Sequence, residues 1–120
     1  MNKAIQPMEY KGKKIVLFDF SHCTKEEIPP IVEEAKVWMS QQAPGSVLTL
    51  TDVSDTTFNS DTIEAMKGFT VHNKPFVKAA AVVGIRGLLK AVYNFVTYFS
   101  QRNIPIFETR EKAMDWLVTQ

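Results

Sequence analysis

The chain has 120 residues, is 45% hydrophobic and 22% charged, and carries a formal net charge of +1. That is one domain's length, with enough apolar material for a core that needs no disulfide or metal. The near-neutral balance argues against nucleic acid, which asks for a basic face. A lone cysteine, Cys23, excludes an internal disulfide. No apolar run is long enough to span a bilayer, and residues 1–7 hold no apolar signal core, so a cytoplasmic location without stable membrane insertion is expected.

Residues 15–20, Ile-Val-Leu-Phe-Asp-Phe, are a nearly continuous apolar run with a β-branched start, the pattern of a buried strand. The turn signal Lys11, Gly12, Lys13 before it lets residues 4–10 pair back as an edge strand. Thr24 and Glu27 have capping-box spacing, yet Pro29 and Pro30 would then remove amide donors in the first turns. A helix beginning at Pro29 after a separate turn is the alternative. Ile31, Ala35 and Trp38, flanked by Val32 and Met39, give this helix its apolar face, and Ala43, Pro44 and Gly45 end it.

Residues 46–53 form the second core strand, followed by a polar loop over 54–59. Asn59, Ser60 or Asp61 caps the next helix, with Asp61 and Glu64 at capping-box spacing and Ile63, Met66 and Phe69 facing inward. His72, Asn73, Lys74 and Pro75 stop it. Residues 76–83 make a third strand, and Gly84, Ile85, Arg86 and Gly87 turn into a helix over 88–101. Ile106 and Phe107 form a short strand after Pro105. Thr109 caps a last helix with Ala113, Trp116 and Leu117 inward. Alternating strands and helices after Ile15 mean βαβ units and mainly parallel pairing.

The helix over 88–101 is far more apolar than a surface helix needs. At about 100° per residue, Lys90, Asn94, Thr97 and Gln101 fall within roughly 60° of one another. Leu88, Leu89, Ala91, Val92, Tyr93, Phe95, Val96, Tyr98 and Phe99 occupy the rest. Three things can cover the surplus: neighbouring elements of the same chain, a second subunit, or an apolar ligand. Tyr93, Phe95, Tyr98 and Phe99 are the candidate partner or ligand surface.

In open α/β sheets the working edge is the carboxyl ends of the strands. Asp19, Ser21 and His22 belong there, with Asp52, Ser54 and Asp55, and with Gly84, Arg86 and Gly87. Asp52, Ser54, Gly84, Arg86 and Gly87 form a candidate ligand- or anion-binding set, because helix-start amides and a guanidinium favour negative charge. Asp19 with Asp52 would suit Mg²⁺ in a metal-dependent hydrolase. Aspartates at strand ends are also ordinary turn residues. The pair resembles that of a receiver domain, but the Lys-Pro such a domain carries after its last strand is absent where the chain reads Ile104, Pro105, Ile106. Ser60 is a candidate phosphoacceptor at a helix start, or simply a cap. His22, His72 and Cys23 show neither triad nor zinc spacing, and no cofactor or metal is expected.

Three segments, GSVLTLTDVS at 45–54, KPFVKAAAVVG at 74–84 and FETREKAMDWL at 107–117, together with the strand at Ile15, carry a resemblance to the STAS fold of bacterial anti-sigma-factor antagonists. The closer likeness is to small bacterial STAS-like proteins grouped with CRAL-TRIO lipid-binding domains. The resemblance implies an α/β architecture over residues 1–120: a mixed, mainly parallel sheet of four to five strands with about four helices, mainly on one face. It implies binding of partners rather than catalysis, and a serine opening the helix after a core strand that a partner kinase phosphorylates. Phe58, Asn59, Ser60 and Asp61 stand in that place, without the usual Asp-Ser-Ser-Gly. The lipid-binding side would give the apolar helix a ligand. The expected protein is a regulatory binding domain, a homodimer with a possible regulatory protein partner. The alternatives are a carrier of a small apolar ligand and a hydrolase using Asp19 and Asp52.

Overall fold

Strand β1 (Ile5–Tyr10) folds back on β2 (Lys13–Asp19) through the Lys11–Gly12 turn, in which both residues have positive φ. The computed structural model describes residues 3–87 and 89–120. Beyond the hairpin the chain alternates α1 (Ile28–Ser40), β3 (Val47–Asp52), α2 (Ser60–Asn73), β4 (Val77–Val83), α3 (Leu89–Ser100), β5 (Ile106–Phe107) and α4 (Arg110–Leu117). A short 3-10 turn, Lys74–Phe76, joins α2 to β4. Leu88, expected to open the apolar helix, lies outside the described residues.

The strands stand side by side in chain order, β1-β2-β3-β4-β5. β1 is antiparallel to β2 and every later pairing is parallel. Each crossover from β2 onward therefore steps one strand further in the same direction. Right-handed crossovers taken in one direction place all their helices on one face. The strand residues sort accordingly. Val16, Phe18, Val47, Val53 and Val82 pack with α1 and α2, while Ile15, Leu17, Leu48, Leu50, Ala81 and Val83 pack with α4 alone.

Helix starts follow local chemistry. Pro29 and Pro30 fall in the first turn of α1, where amides have no helical partner to lose. Thr24 and Glu27 close the turn before it: Glu27 Oε1 accepts from Thr24 N at 3.0 Å and from Thr24 Oγ1 at 3.1 Å. These bonds hold the Glu27 carboxyl below its ordinary value. The capping box of α2 is formed by Asn59 and Thr62, not by Asp61 and Glu64. Thr62 N donates to Asn59 Oδ1 at 2.9 Å, and Asn59 N donates to Thr62 Oγ1 at 2.7 Å. With its hydroxyl satisfied, Thr62 is buried, and Ile63 is only partly so. Lys112 N donates to Thr109 Oγ1, the expected cap of α4.

Helix α3 is the least buried of the three crossover helices. Its crossover ends at β5, a strand of two residues, and the helix packs mainly against α2. Within it only Val96 and Ser100 are buried.

The larger core centres on Phe18, which is fully buried and meets Phe69 edge-on at 5.2 Å and Trp38 at 6.3 Å. Phe18→Ala should lower unfolding free energy by about 3–5 kcal/mol in urea titrations. A loss below ~1 kcal/mol would mean that the packing between α1, α2 and the sheet is not as described.

Candidate functional site

The parallel register sets Asp19 directly beside Asp52 at the carboxyl ends of β2 and β3. Each carboxylate caps its own loop. Asp19 Oδ1 accepts from Ser21 N at 3.0 Å and Ser21 Oγ at 2.5 Å, and Asp52 Oδ1 accepts from Ser54 N at 2.9 Å. Arg110, the first residue of α4, closes the pair: Nε lies 2.7 Å from Asp52 Oδ2 and Nη2 lies 3.2 Å from Asp19 Oδ1. Burial pushes the Asp52 carboxyl up, but the hydrogen bonds from Ser54 and the Arg110 guanidinium outweigh it and hold it below the usual carboxylate range. Burial pushes Arg110 the other way, and its two aspartates more than restore it.

This arrangement is a clamp. The space where a divalent cation would bridge Asp19 and Asp52 holds a permanent organic cation, and the carboxylate held below its usual range has no proton to trade near neutrality. Among the described residues, no group of three His, Cys, Asp or Glu is placed to hold a metal ion. The cation that answers Asp52 is Arg110, not Arg86, which is exposed on the turn with Gly87. Gly84 does meet Ser54, for a packing reason. Its φ is +92°, and a Cβ there would lie 2.6 Å from Ser54 Cα. Sequence reasoning passed over Arg110, although a residue opening the helix after the last strand lies at this same sheet edge by topology.

Ser60 is exposed as the first residue of α2, with the cap supplied by Asn59. Cys23 is buried, and that burial pushes its thiol up, away from the reactive thiolate. His22 is exposed, 3.7 Å from Asp55.

Helix α3 divides its aromatics. Tyr93 turns inward, packs against the core and donates its hydroxyl to the Ile104 carbonyl. Phe95, Tyr98 and Phe99 face outward with 47%, 87% and 53% of their surfaces exposed. Phe95 and Phe99 stack at 6.4 Å, and Lys67 of α2 lays its ammonium 4.1 Å from the Phe99 centroid while pairing with Glu64 at 2.9 Å. Beneath α2 and α3, against the sheet, lies an apolar space of about 90 Å³. Among the described residues, no helix is long and apolar enough to cross a membrane.

No family model matches the chain, and no curated protein matches it in sequence. Solved structures match its fold. An anti-sigma-factor antagonist (STAS) domain protein from Planctomyces limnophilus superposes with a TM-score of 0.67 at 18% identity, over 95% of this chain and 97% of that one. An uncharacterized protein of the DUF3478 family with a SpoIIAA-like fold, from Shewanella loihica, gives 0.72 at 16% identity, over 95% and 92%. The chain is therefore a STAS-like domain by fold, with a mostly parallel five-stranded sheet and four helices.

Arg110→Ala leaves a buried carboxylate without its cation and should cost about 2–3 kcal/mol at pH 7, less than a fully buried pair because Arg110 is half exposed. Asp52 has a lowered folded-state value, so its contribution is complete above the ordinary carboxylate value of ~3.9 and fades as pH falls through the folded one. The gap between parent and variant in urea titrations should therefore be widest at neutral pH and shrink in acid. An equal gap at pH 7 and in acid would contradict the clamp.

Proposed function

We propose that this chain is a non-catalytic binding module of STAS type that acts by protein–protein contact through the outer face of α3, and that the partner seated there is a second copy of the chain. The observation that carries this reading is the cluster of Phe95, Tyr98 and Phe99, exposed together on one helix. Solvent-facing aromatics in a contiguous group are a contact surface in want of a cover. A like surface suits it: Lys67, the cation against the rings, is already neutralised by Glu64, so two copies meet without facing like charges. The STAS-like fold supports a regulatory rather than a catalytic role, and the clamped Asp19 and Asp52 offer no free acid, base or metal ligand set.

Ser60 is the point of control in this reading. It is exposed, its hydroxyl is not needed for capping, and it opens the helix on which α3 leans. A phosphate there would be favoured by the helix dipole and would alter the charge of α2 beside the contact.

Sedimentation velocity over a wide concentration range tests the proposal. The parent should move from monomer to dimer with concentration. Tyr98→Glu, at a side chain too exposed to matter for folding, should weaken dimerisation by at least about tenfold, or ~1.4 kcal/mol. Ser60→Asp should shift the same equilibrium. A parent that stays monomeric throughout, or turnover of any substrate that depends on Asp19 or Asp52, would overturn the reading. A Ser60→Asp equilibrium identical to the parent's would remove Ser60 from it.

A further inference from the structure

The apolar surface of α3 ends on one side and not on the other. Around the helix axis, at about 100° per residue, Tyr98, Phe95 and Phe99 follow one another in that order. The exposed Lys90 and Asn94 come next beyond Tyr98, so polar side chains bound the patch there. At the opposite margin, Phe99 is the ring nearest α2: the Lys67 ammonium lies 4.1 Å from its centroid and 5.5 Å from that of Phe95. Only 18% of the Lys67 side chain is exposed, and its methylene stem carries the apolar surface across to α2. One turn further along the same side of α2 stands Val71, with 45% of its surface exposed. Arg102, just past the end of α3, donates to the carbonyl of Thr70, which sets Val71 level with the end of α3. Nothing within the fold requires an open valine at that place.

Size points the same way. A stable dimer buries about 800 Å² on each copy. Helix α3 has 12 residues, and a helix of that length has an outline of only about 18 Å by 10 Å. We infer that the surface joining two copies is a two-helix face, α3 together with the outer side of α2, and that Val71 is its anchor on α2. The inference rests on the proposed self-association through α3 and states how far that contact reaches. The occupant is a second copy, because the face is compatible with its own image: it is apolar along α3, and its α2 charges, Glu64 and Lys67, are already paired at 2.9 Å. Helix α1 lies on the far side of α2 from α3, so its own exposed valine, Val37, falls outside the face.

Sedimentation velocity of the full chain with Val71→Glu and Val37→Glu tests the reach of the contact. Both substitutions add one carboxylate at an open position, where folding does not depend on the side chain. Val71→Glu should weaken dimerisation by at least about fivefold, or ~1 kcal/mol, while Val37→Glu stays within about twofold of the parent. A parent that dimerises and is weakened by Tyr98→Glu but not by Val71→Glu would overturn the inference and leave the α3 contact standing. Equal weakening by Val37→Glu and Val71→Glu would also overturn it, since added charge alone would then account for the loss. A parent that stays monomeric would overturn both.

Discussion

A parallel strand-helix-strand crossover is right-handed almost without exception, and here every crossover after β2 runs the same way across the sheet. That handedness stacks α1, α2 and α3 in a row on one face and leaves the other to α4. It also decides where the row runs out. The last crossover ends on a strand of two residues, so α3 has a helix neighbour, α2, on one side only. A helix in that position cannot bury a broad apolar surface within its own chain. The exposed Phe95, Tyr98 and Phe99 follow from this, and so does the gap above the small side chains of β3 and β4.

The same topology explains the opposite character of the sheet edge. The carboxyl ends of β2 and β3 are where an open α/β sheet keeps its chemistry, and the two aspartates there look ready for it. Yet the chain returns through β5 and starts α4 over that edge, bringing Arg110 onto both. Asp52, with only 5% of its surface exposed, is retained as a charge because Ser54 and Arg110 satisfy its oxygens. Such a cluster holds loops and a helix terminus in register. Its acceptors are spent on structure.

Much of this was legible in the residues. The run at 15–20, the Gly12 turn, the Thr109 cap and the brief strand at Ile106 all read correctly because each depends on local pattern. Two kinds of feature did not. Competing local signals stayed unranked: Asn59, Ser60 and Asp61 were all candidate caps of α2, and only the fold, by burying Thr62 against the core, chooses Asn59. Of the contacts distant in sequence, the meeting of Asp19 and Asp52 at the strand ends was legible, but the cation over them was not. Arg110 is 58 residues from Asp52, so nothing near either residue announces the clamp. The apolar surplus of the helix at 88–101 lay between these cases. Its size could be counted from composition, but its direction depended on how short β5 turned out to be. Tyr93, grouped with the other aromatics by sequence, belongs with the interior for that reason.

The central claim is that α3 is the working surface and the strand ends are not. Amide hydrogen exchange on the full chain, compared between dilute and concentrated solutions, tests it directly. The account predicts that exchange within residues 89–100 slows as concentration rises while residues 47–52 and 13–19 are unchanged. Slowing centred on the strand ends, or no concentration dependence along α3, would contradict it.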